Sequence, residues 1–395
     1  MAELQDALET GEATSRAITE AYLARIDAVD RAGPELRAIL ELNPDALAIA
    51  DSLDAERRAG RLRGPLHGIP VVLKDNIDTA DRMTTTAGSL ALEGSIAPRD
   101  AFIAERLREA GAILLGKANL SEWANFRSTA SSSGWSGRGG QVRNPYALDR
   151  SPCGSSSGSA VAVAADLAPL AVGTETDGSI VCPAGANGIV GIKPTIGLVS
   201  RSGIIPIAHS QDVAGPMGRT VADAVTLLDA MIGRDPRDPS TASAPSGFEV
   251  VSALRADALA GARIGVIRDG MTGYHAGTDS LFERALSDLQ TAGATVVDSL
   301  ELPHYGEYGD AEWQILLYEF KHDLNAYLDG LGDDAPVGSL ADVIAFNRRE
   351  RGRSMPYFQQ EILEMAQEKD GLDAPEYREA LETARLAGVG IDSIL

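Results

Sequence analysis

Small hydroxyl residues and glycines surround a long apolar run between Arg150 and Thr195, which reads RSPCGSSSGSAVAVAADLAPLAVGTETDGSIVCPAGANGIVGIKPT. A plain loop has no use for the apolar middle, and a plain core segment has no use for the serines. The pattern therefore indicates two catalytic turns joined by a buried helix and strand. A serine in each turn could converge on one substrate atom, which predicts a serine hydrolase that works without histidine.

A serine hydroxyl is a weak nucleophile and needs a base within hydrogen-bond reach. A lysine kept neutral by burial can supply that base. Lys74 ends the apolar segment IPVVL and precedes Asp75 and Asn76, so its strand would be buried while its tip reaches polar groups. The same position also suits a lysine that points to solvent or pairs with Asp75. From the residues alone, both interpretations stay open.

The two serine turns differ in what they could contribute. Ser179 follows a glycine in GTETDGSI, a turn that could expose the hydroxyl while backbone amides point inward as an oxyanion hole. The amides in question are those of Thr176, Asp177, Gly178 and Ser179. Ser155 follows Gly154 in CGSSSGS, and glycine permits unusual backbone angles there. Taken alone, this second string fits a flexible serine loop equally well.

Other motifs carry less chemistry. The segment from Gly111 to Lys117 has the spacing of a phosphate-binding loop, but Ala118 stands where a Ser or Thr must hold magnesium, and the intervening residues read as a strand. The histidines never fall at metal-ligand spacing, although two adjoin segments of interest; they are His67, His209, His275, His304 and His322. We therefore expect no metal and no cofactor.

Bulk properties limit the partners of the chain. Its 395 residues include 35 basic and 57 acidic side chains, and the net charge of −22 argues against nucleic acid as a partner. No apolar run reaches the ~20 residues of a membrane span, and the N-terminus carries no leader pattern. Cys153 and Cys182 predict buried, inert thiols and no disulfide framework. A cytoplasmic enzyme without a membrane partner is expected.

Hydrophobic periodicity alternates between helices and short apolar strands. We predict helices over residues 3–30, 44–60, 99–110, 157–168, 220–232 and 279–291, strands at IPVVL, AILLG, 169–173, IVGIKPT, ARIGVIRD and ATVVDSLELP, and polar loops at 128–144 and 234–247. This alternation indicates an α/β sheet with helices on both faces, in a single domain over 1–395. Residues 1–60 form N-terminal helices, 61–232 the catalytic core, and 307–390 a mostly helical segment bordering the pocket.

Several of these segments together resemble the amidase signature family, whose members hydrolyse amides with a Ser–cis-Ser–Lys triad. The resemblance rests on PLHGIPVVLKDNI, EAGAILLGKANLSEWA, SPCGSSSGSA, GTETDGSIVCPAGANGIVGIKPTIGLVSRSGIIP and SQDVAGPMGRTVAD, which span most of the chain. The wording GTETDGSIVCPA and GWSGRGGQVRNP is most similar to bacterial peptide amidases, which remove the C-terminal amide of peptides. The fold implied is one α/β domain with a central mixed, twisted sheet covered by helices.

The resemblance assigns three roles. Lys74 takes the family's lysine position, Ser155 the bridging serine held by a cis peptide from Gly154, and Ser179 the nucleophile; the two serines stand 24 positions apart, as in the family. The implied reaction forms an acyl-enzyme on Ser179, with Ser155 and Lys74 relaying the proton. The implied partner is a small-molecule or peptide amide. The aromatic residues Trp135, Tyr318, Phe320 and Phe358 either line the pocket or pack in the core.

The chain departs from the family in two places. Asp177 stands where a glycine is common, and Val181 where an arginine is common; both look like markers of the peptide-amidase branch. The chain also stops after GIDSIL, before the family's usual C-terminal part. Two alternatives therefore stay open, the glutamine-hydrolysing subunit of a tRNA-dependent amidotransferase and a truncated, inactive family member.

Overall fold

A computed structural model describes residues 1–245 and 249–395. The strands are β1 Ile39–Leu42, β2 Pro70–Lys74, β3 Ile113–Ala118, β4 Trp135–Ser136, β5 Gly140–Gln141, β6 Leu170–Glu175, β7 Val190–Gly191, β8 Val213–Gly218, β9 Arg263–Ile267 and β10 Thr295–Leu300. The α-helices are α1 Ala2–Thr10, α2 Ser15–Arg25, α3 Ala46–Arg58, α4 Phe102–Glu109, α5 Ser157–Ala164, α6 Val181–Ala186, α7 Val221–Met231, α8 Ala276–Thr291, α9 Gly309–Gly330, α10 Leu340–Arg349, α11 Arg351–Ser354, α12 Glu361–Gln367 and α13 Pro375–Ile394.

Residue contacts group the chain into two compact units. The first comprises Met1–Val251 and Glu319–Lys369, and the second comprises Ser252–Tyr318 and Asp370–Leu395. The second unit contains a two-stranded parallel sheet of β9 and β10, with α8 between them in the chain, as parallel pairing requires. The predicted boundaries at 60, 232 and 307 stay predictions.

The first unit is built on a six-stranded mixed sheet in the order β1-β3-β2-β6-β8-β7. Strand β2 pairs in parallel with both β3 and β6, whereas β1, β8 and β7 join antiparallel. Every residue of β2, β3 and β6 is buried. Parallel strands covered on both faces read as continuous apolar runs, which is why the sequence revealed these three.

Helices cover both faces of this sheet. Successive side chains of a strand point to opposite faces. Val71 and Leu73 of β2 pack in one hydrophobic cluster with α4 and α7, while Val72 packs in another with α3 and α5. The predicted class, a mixed α/β sheet between helical layers, is confirmed.

Three local predictions need correction. Residues 3–30 do not form one helix, because α1 ends at Gly11 with φ of 76° and α2 begins at its N-cap Thr14, whose side chain accepts from the Ala17 amide. The predicted loop 128–144 contains a short antiparallel hairpin of β4 and β5. In the predicted loop 234–247, residues 246 and 247 lie outside the described residues.

The segment with phosphate-loop spacing forms strand β3, as its apolar residues indicated. Its lysine, Lys117, is fully buried and donates to the carbonyl of Ile77 (2.6 Å) and the hydroxyl of Thr85 (2.8 Å). Those contacts secure the chain that follows β2. Within the described ranges, the model contains no helix that is both long and apolar enough to span a bilayer.

Candidate active site

The last residue of β2, Lys74, lies at the centre of the sheet and has no exposed surface. Its Nζ stands 2.7 Å from the Ser155 hydroxyl, 2.9 Å from the Thr174 hydroxyl and 3.2 Å from the Thr174 carbonyl. Burial lowers the pKa of Lys74 to about 7, against the opposing charges of Asp212 and Glu175. A neutral amine so placed can accept the proton of Ser155. The solvent-pointing interpretation of Lys74 is therefore excluded.

The predicted bridging serine follows a cis peptide bond between Gly154 and Ser155. Its carbonyl accepts from the Ser121 amide at 3.0 Å, and its side chain is almost fully buried. A Cβ at position 154 would overlap the Ser121 hydroxyl, so the residue before Ser155 has to be glycine. Helix α5, whose residues are all buried, begins two positions later and anchors the turn.

The turn that carries Ser179 joins β6 to α6. The carbonyl of Ser179 accepts from the Ser156 amide at 3.1 Å, which ties this turn directly to the Ser155 turn. Glu175, at the end of β6, accepts from the amides of Ile180 (2.6 Å) and Val181 (2.9 Å). Gly178 has a φ of 78°, a left-handed conformation that favours glycine. These contacts fix the backbone on both sides of Ser179, which is 7% exposed.

The amides predicted to form an oxyanion hole precede α6 and follow β6. None of the four binds an acceptor among the described residues; they belong to Thr176, Asp177, Gly178 and Ser179. Unengaged amides around a nucleophile are what a tetrahedral oxyanion requires. The geometry is compatible with the predicted role.

Asp212 is a further site residue that the sequence analysis missed. It accepts from the Thr176 hydroxyl at 2.5 Å and from the amides of Ile207 (2.8 Å) and Ala208 (3.0 Å). Burial raises the pKa of Asp212 to about 6. The carboxylate thus joins the loop before β8 to the residue that opens the Ser179 turn. Only its place in the SQDVAGPMGRTVAD segment could have indicated it.

A pocket of about 260 Å³ opens beside the ends of β2 and β6. Its walls include Asn76, Thr174, Thr176 and Asp212, together with the apolar segment 204–207. One wall is therefore apolar and the other polar, as small-molecule sites usually are.

The aromatic residues considered for the pocket lie elsewhere. Phe320 is fully buried against Phe126, with ring centroids 5.1 Å apart, and Trp135 packs edge-on against Phe358 at 4.9 Å. Tyr318, in the second unit, stacks near Tyr377. Core packing therefore describes them, although Phe358 also borders a separate recess of about 650 Å³. From the segment 307–390, Asp323 lines the 260 Å³ pocket.

His209 lies between two carboxylates at the rim of the pocket. Its Nδ1 is 2.8 Å from Asp323 and its Nε2 is 3.4 Å from Glu319. The hydrogen bond with Asp323 is the main cause that raises the pKa of His209. The three groups are close enough for a cation, but Asp323 and Glu319 also accept from the amides of His209 and Ser210. We interpret the cluster as an ion-paired clamp between α9 and the loop before β8.

His67 is a structural residue. It is fully buried, its Nε2 lies 3.0 Å from the Leu53 carbonyl, and its Nδ1 accepts from the Arg63 amide.

The prediction of two inert thiols is wrong. Cys153 and Cys182 form a disulfide bond across a sequence separation of 29. The sequence misled because both cysteines lie among small residues, as buried thiols often do. The folded turns that bring them together could not be read from their spacing.

Comparison with known proteins extends over the whole site. A family model described as Amidase matches residues 17–387. The crystal structure of a peptide amidase from Stenotrophomonas maltophilia is 55% identical, with a TM-score of 0.96, over 99% of this chain and 80% of that chain. A probable amidase of Arabidopsis thaliana is 43% identical over 394 residues, which are 97% of this chain and 74% of that protein. A glutamyl-tRNA(Gln) amidotransferase subunit from Acidothermus cellulolyticus is 42% identical over 355 residues, 88% of this chain and 68% of that protein.

These matches confirm the resemblance inferred from the GTETDGSIVCPA and SPCGSSSGSA segments, and with it the expected class of amide-hydrolysing enzyme. The matched region includes Lys74, Ser155 and Ser179. The chain belongs to the amidase family.

Proposed function

We propose that the protein hydrolyses a linear carboxamide, the C-terminal amide of a peptide, to a carboxylate and ammonia. The observation that carries the proposal is the buried Lys74 amine 2.7 Å from the Ser155 hydroxyl. Ser155 lies in a turn bonded to the turn of Ser179 by a single backbone hydrogen bond. A buried base, a bridging hydroxyl and a second serine in sequence are the parts that a proton relay needs.

The reaction begins when Ser179 Oγ attacks the amide carbonyl. Its proton passes to Ser155 Oγ as the proton of Ser155 passes to neutral Lys74. The amides of residues 176–179 stabilise the oxyanion, each such donor being worth about 3 kcal/mol in the transition state. The nitrogen takes a proton back along the same path and leaves as ammonia. Water, deprotonated by the same relay, then hydrolyses the acyl-enzyme and restores Ser179.

A peptide amide is supported as substrate by the pocket and by one relative. The segment 204–207, of sequence IPI after Ile204, offers an apolar wall beside Thr174 and Thr176. An apolar wall next to polar groups suits a peptide side chain followed by an amide. The Stenotrophomonas protein, 55% identical, is a peptide amidase.

A second candidate function is ammonia release from glutamine. It is supported by the 42% identity to the Acidothermus amidotransferase protein. The net charge of −22 opposes it, because a tRNA-dependent assembly has to approach a polyanion. The third possibility predicted from the sequence, an inactive chain, makes the opposite expectation of no turnover at all.

The experiment is product analysis with short peptide amides and with free glutamine, each followed by chromatography of the acid formed. We expect turnover of the peptide amides, and a loss of at least a thousandfold in Ser179→Ala and in Lys74→Met. Ser132→Ala, on the 128–144 loop, and Lys193→Met, at the surface-side Pro194 carbonyl, are the matched controls and should keep normal turnover.

Each other result identifies an alternative. Turnover of glutamine but not of peptide amides would establish the second candidate. Full activity in Ser179→Ala would refute the nucleophile. No turnover together with no labelling of Ser179 by a serine-reactive sulfonyl fluoride would establish the inactive chain.

The cytoplasmic location remains a prediction, and the Cys153–Cys182 bond weighs against it. Disulfides are rare where glutathione and thioredoxin keep thiols reduced. Acid trapping of thiols in the producing cell, followed by mass spectrometry of the two cysteines, measures their state directly.

A further inference from the structure

The disulfide joins the two turns that carry the proposed catalytic serines. Cys153 precedes Ser155 by two residues, and Cys182 follows Ser179 by three. Both serines therefore lie close to the ends of the covalent ring that the bond closes. A bond with this placement acts on the spacing of the two turns more directly than on the core.

The segments that the bond connects have little regular structure of their own. Residues 151–156 form no helix or strand, and Cys153 itself has a φ of 57°, which L residues rarely adopt. Cys182 lies in the first turn of α6, a helix of six residues. Helices so short are not stable alone and depend on tertiary contacts.

Only a few other contacts among the described residues join the two segments. The amide of Ser156 donates to the carbonyl of Ser179 at 3.1 Å. The side chain of Asn187, just after α6, donates to the Pro152 carbonyl at 2.8 Å. Ser155 has independent support, because Lys74 and the Ser121 amide hold it. The Ser179 turn is thus the part that loss of the bond would release.

The bond is also accessible. Cys182 is exposed and Cys153 half-buried, whereas the serines beside them are buried. Thiol–disulfide exchange requires that a thiolate reach one of the sulfurs, and the sulfur of an exposed cysteine meets that condition. A dithiol reductant donates two electrons and two protons, which gives two cysteine thiols and the cyclic disulfide of the reductant.

We propose that the Cys153–Cys182 disulfide is a positioning element that holds the Ser179 turn against the Ser155–Lys74 pair. The proposal rests on the proposed function of these residues. Reduction lowers kcat on the order of tenfold, because a nucleophile displaced by a fraction of an ångström reacts far more slowly. KM changes little, since the apolar pocket wall at 204–207 lies in another part of the chain.

The test compares the air-oxidised enzyme with enzyme reduced by dithiothreitol, using kcat and KM for a peptide amide. Alkylation and mass spectrometry establish the thiol state, and circular dichroism checks that the chain stays folded. The double variant Cys153→Ser/Cys182→Ser serves as the matched control. We expect kcat to fall about tenfold on reduction and to return on reoxidation, and the double variant to be slow and indifferent to reductant.

Four results would overturn the proposal. They are an isolated protein with two free thiols, unchanged kcat after full alkylation of the reduced enzyme, a double variant as fast as the oxidised enzyme, or global unfolding on reduction. If the oxidised enzyme turns over no amide, the rate of Ser179 labelling by a sulfonyl fluoride replaces kcat. Slower labelling after reduction then supports the positioning role even though the proposed substrate is wrong.

Discussion

The rate of amide hydrolysis should depend on the protonation state of Lys74. Burial lowers the pKa of Lys74 to about 7, and only the neutral amine can accept a proton. The neutral fraction falls roughly ninetyfold between pH 8 and pH 5 for such a pKa, and kcat/KM should fall with it. An ordinary lysine would instead give a rate that rises up to pH 10. The assay is kcat/KM for a peptide amide from pH 5 to 10, with the product acid quantified by chromatography.

Asp212→Asn provides a directional check on the same quantity. The charge of Asp212 raises the pKa of Lys74, so its removal should move the acidic limb to lower pH. The amide oxygen of asparagine can still accept from Thr176, which preserves the local hydrogen bond. In the wild type the limb belongs to the coupled pair, because Asp212 has its own pKa raised to about 6. A limb near pH 10, or a shift to higher pH in the variant, would refute the assignment of Lys74 as base.

The remaining predictions concern stability. Lys74→Met should resist urea better than the wild type at pH 7, and its advantage should shrink by about 1.4 kcal/mol per pH unit towards pH 10, since the unfolded lysine binds more protons; a constant difference in the free energy of unfolding would argue against the lowered pKa. Arg127→Met should cost about 3–5 kcal/mol in unfolding free energy, because it strands the buried carboxylate that Arg127 contacts at 2.5 Å. Gly158→Ala should cost about 3 kcal/mol by overlapping two backbone carbonyls, whereas Gly185→Ala meets no atom within 4 Å and should be neutral or stabilising; equal effects in the two glycine variants would contradict the packing argument.

The elements found from the sequence are those with an unambiguous pattern. Strands β2, β3 and β6 are continuous apolar runs buried on both faces, and the Ser155 and Ser179 turns carry small residues that no core segment needs. Strand β8 was missed because VAGPMG contains a proline and two glycines, which normally disfavour a strand. Helix α6, VCPAGA, was missed for the same reason.

Long-range pairings in the site were beyond the sequence analysis. Thr176 and Asp212 stand 36 residues apart, and Cys153 and Cys182 stand 29 apart. No local pattern distinguishes a paired side chain from an unpaired one at such separations. The sheet order, which brings β6 next to β8, decides the first pairing. The meeting of the two serine turns decides the second.

The apolar pocket wall is bonded to the strand end that carries Lys74. The amide of Ile205 donates to the Asn76 carbonyl at 2.8 Å, and Ile204 pairs with Ile77. A wall residue cannot move without pulling on the backbone two positions after the base. In laboratory evolution of new substrate preferences, changes at 204–207 will therefore be epistatic with the catalytic lysine. Variants with altered selectivity should be recovered together with compensating changes around residues 74–78.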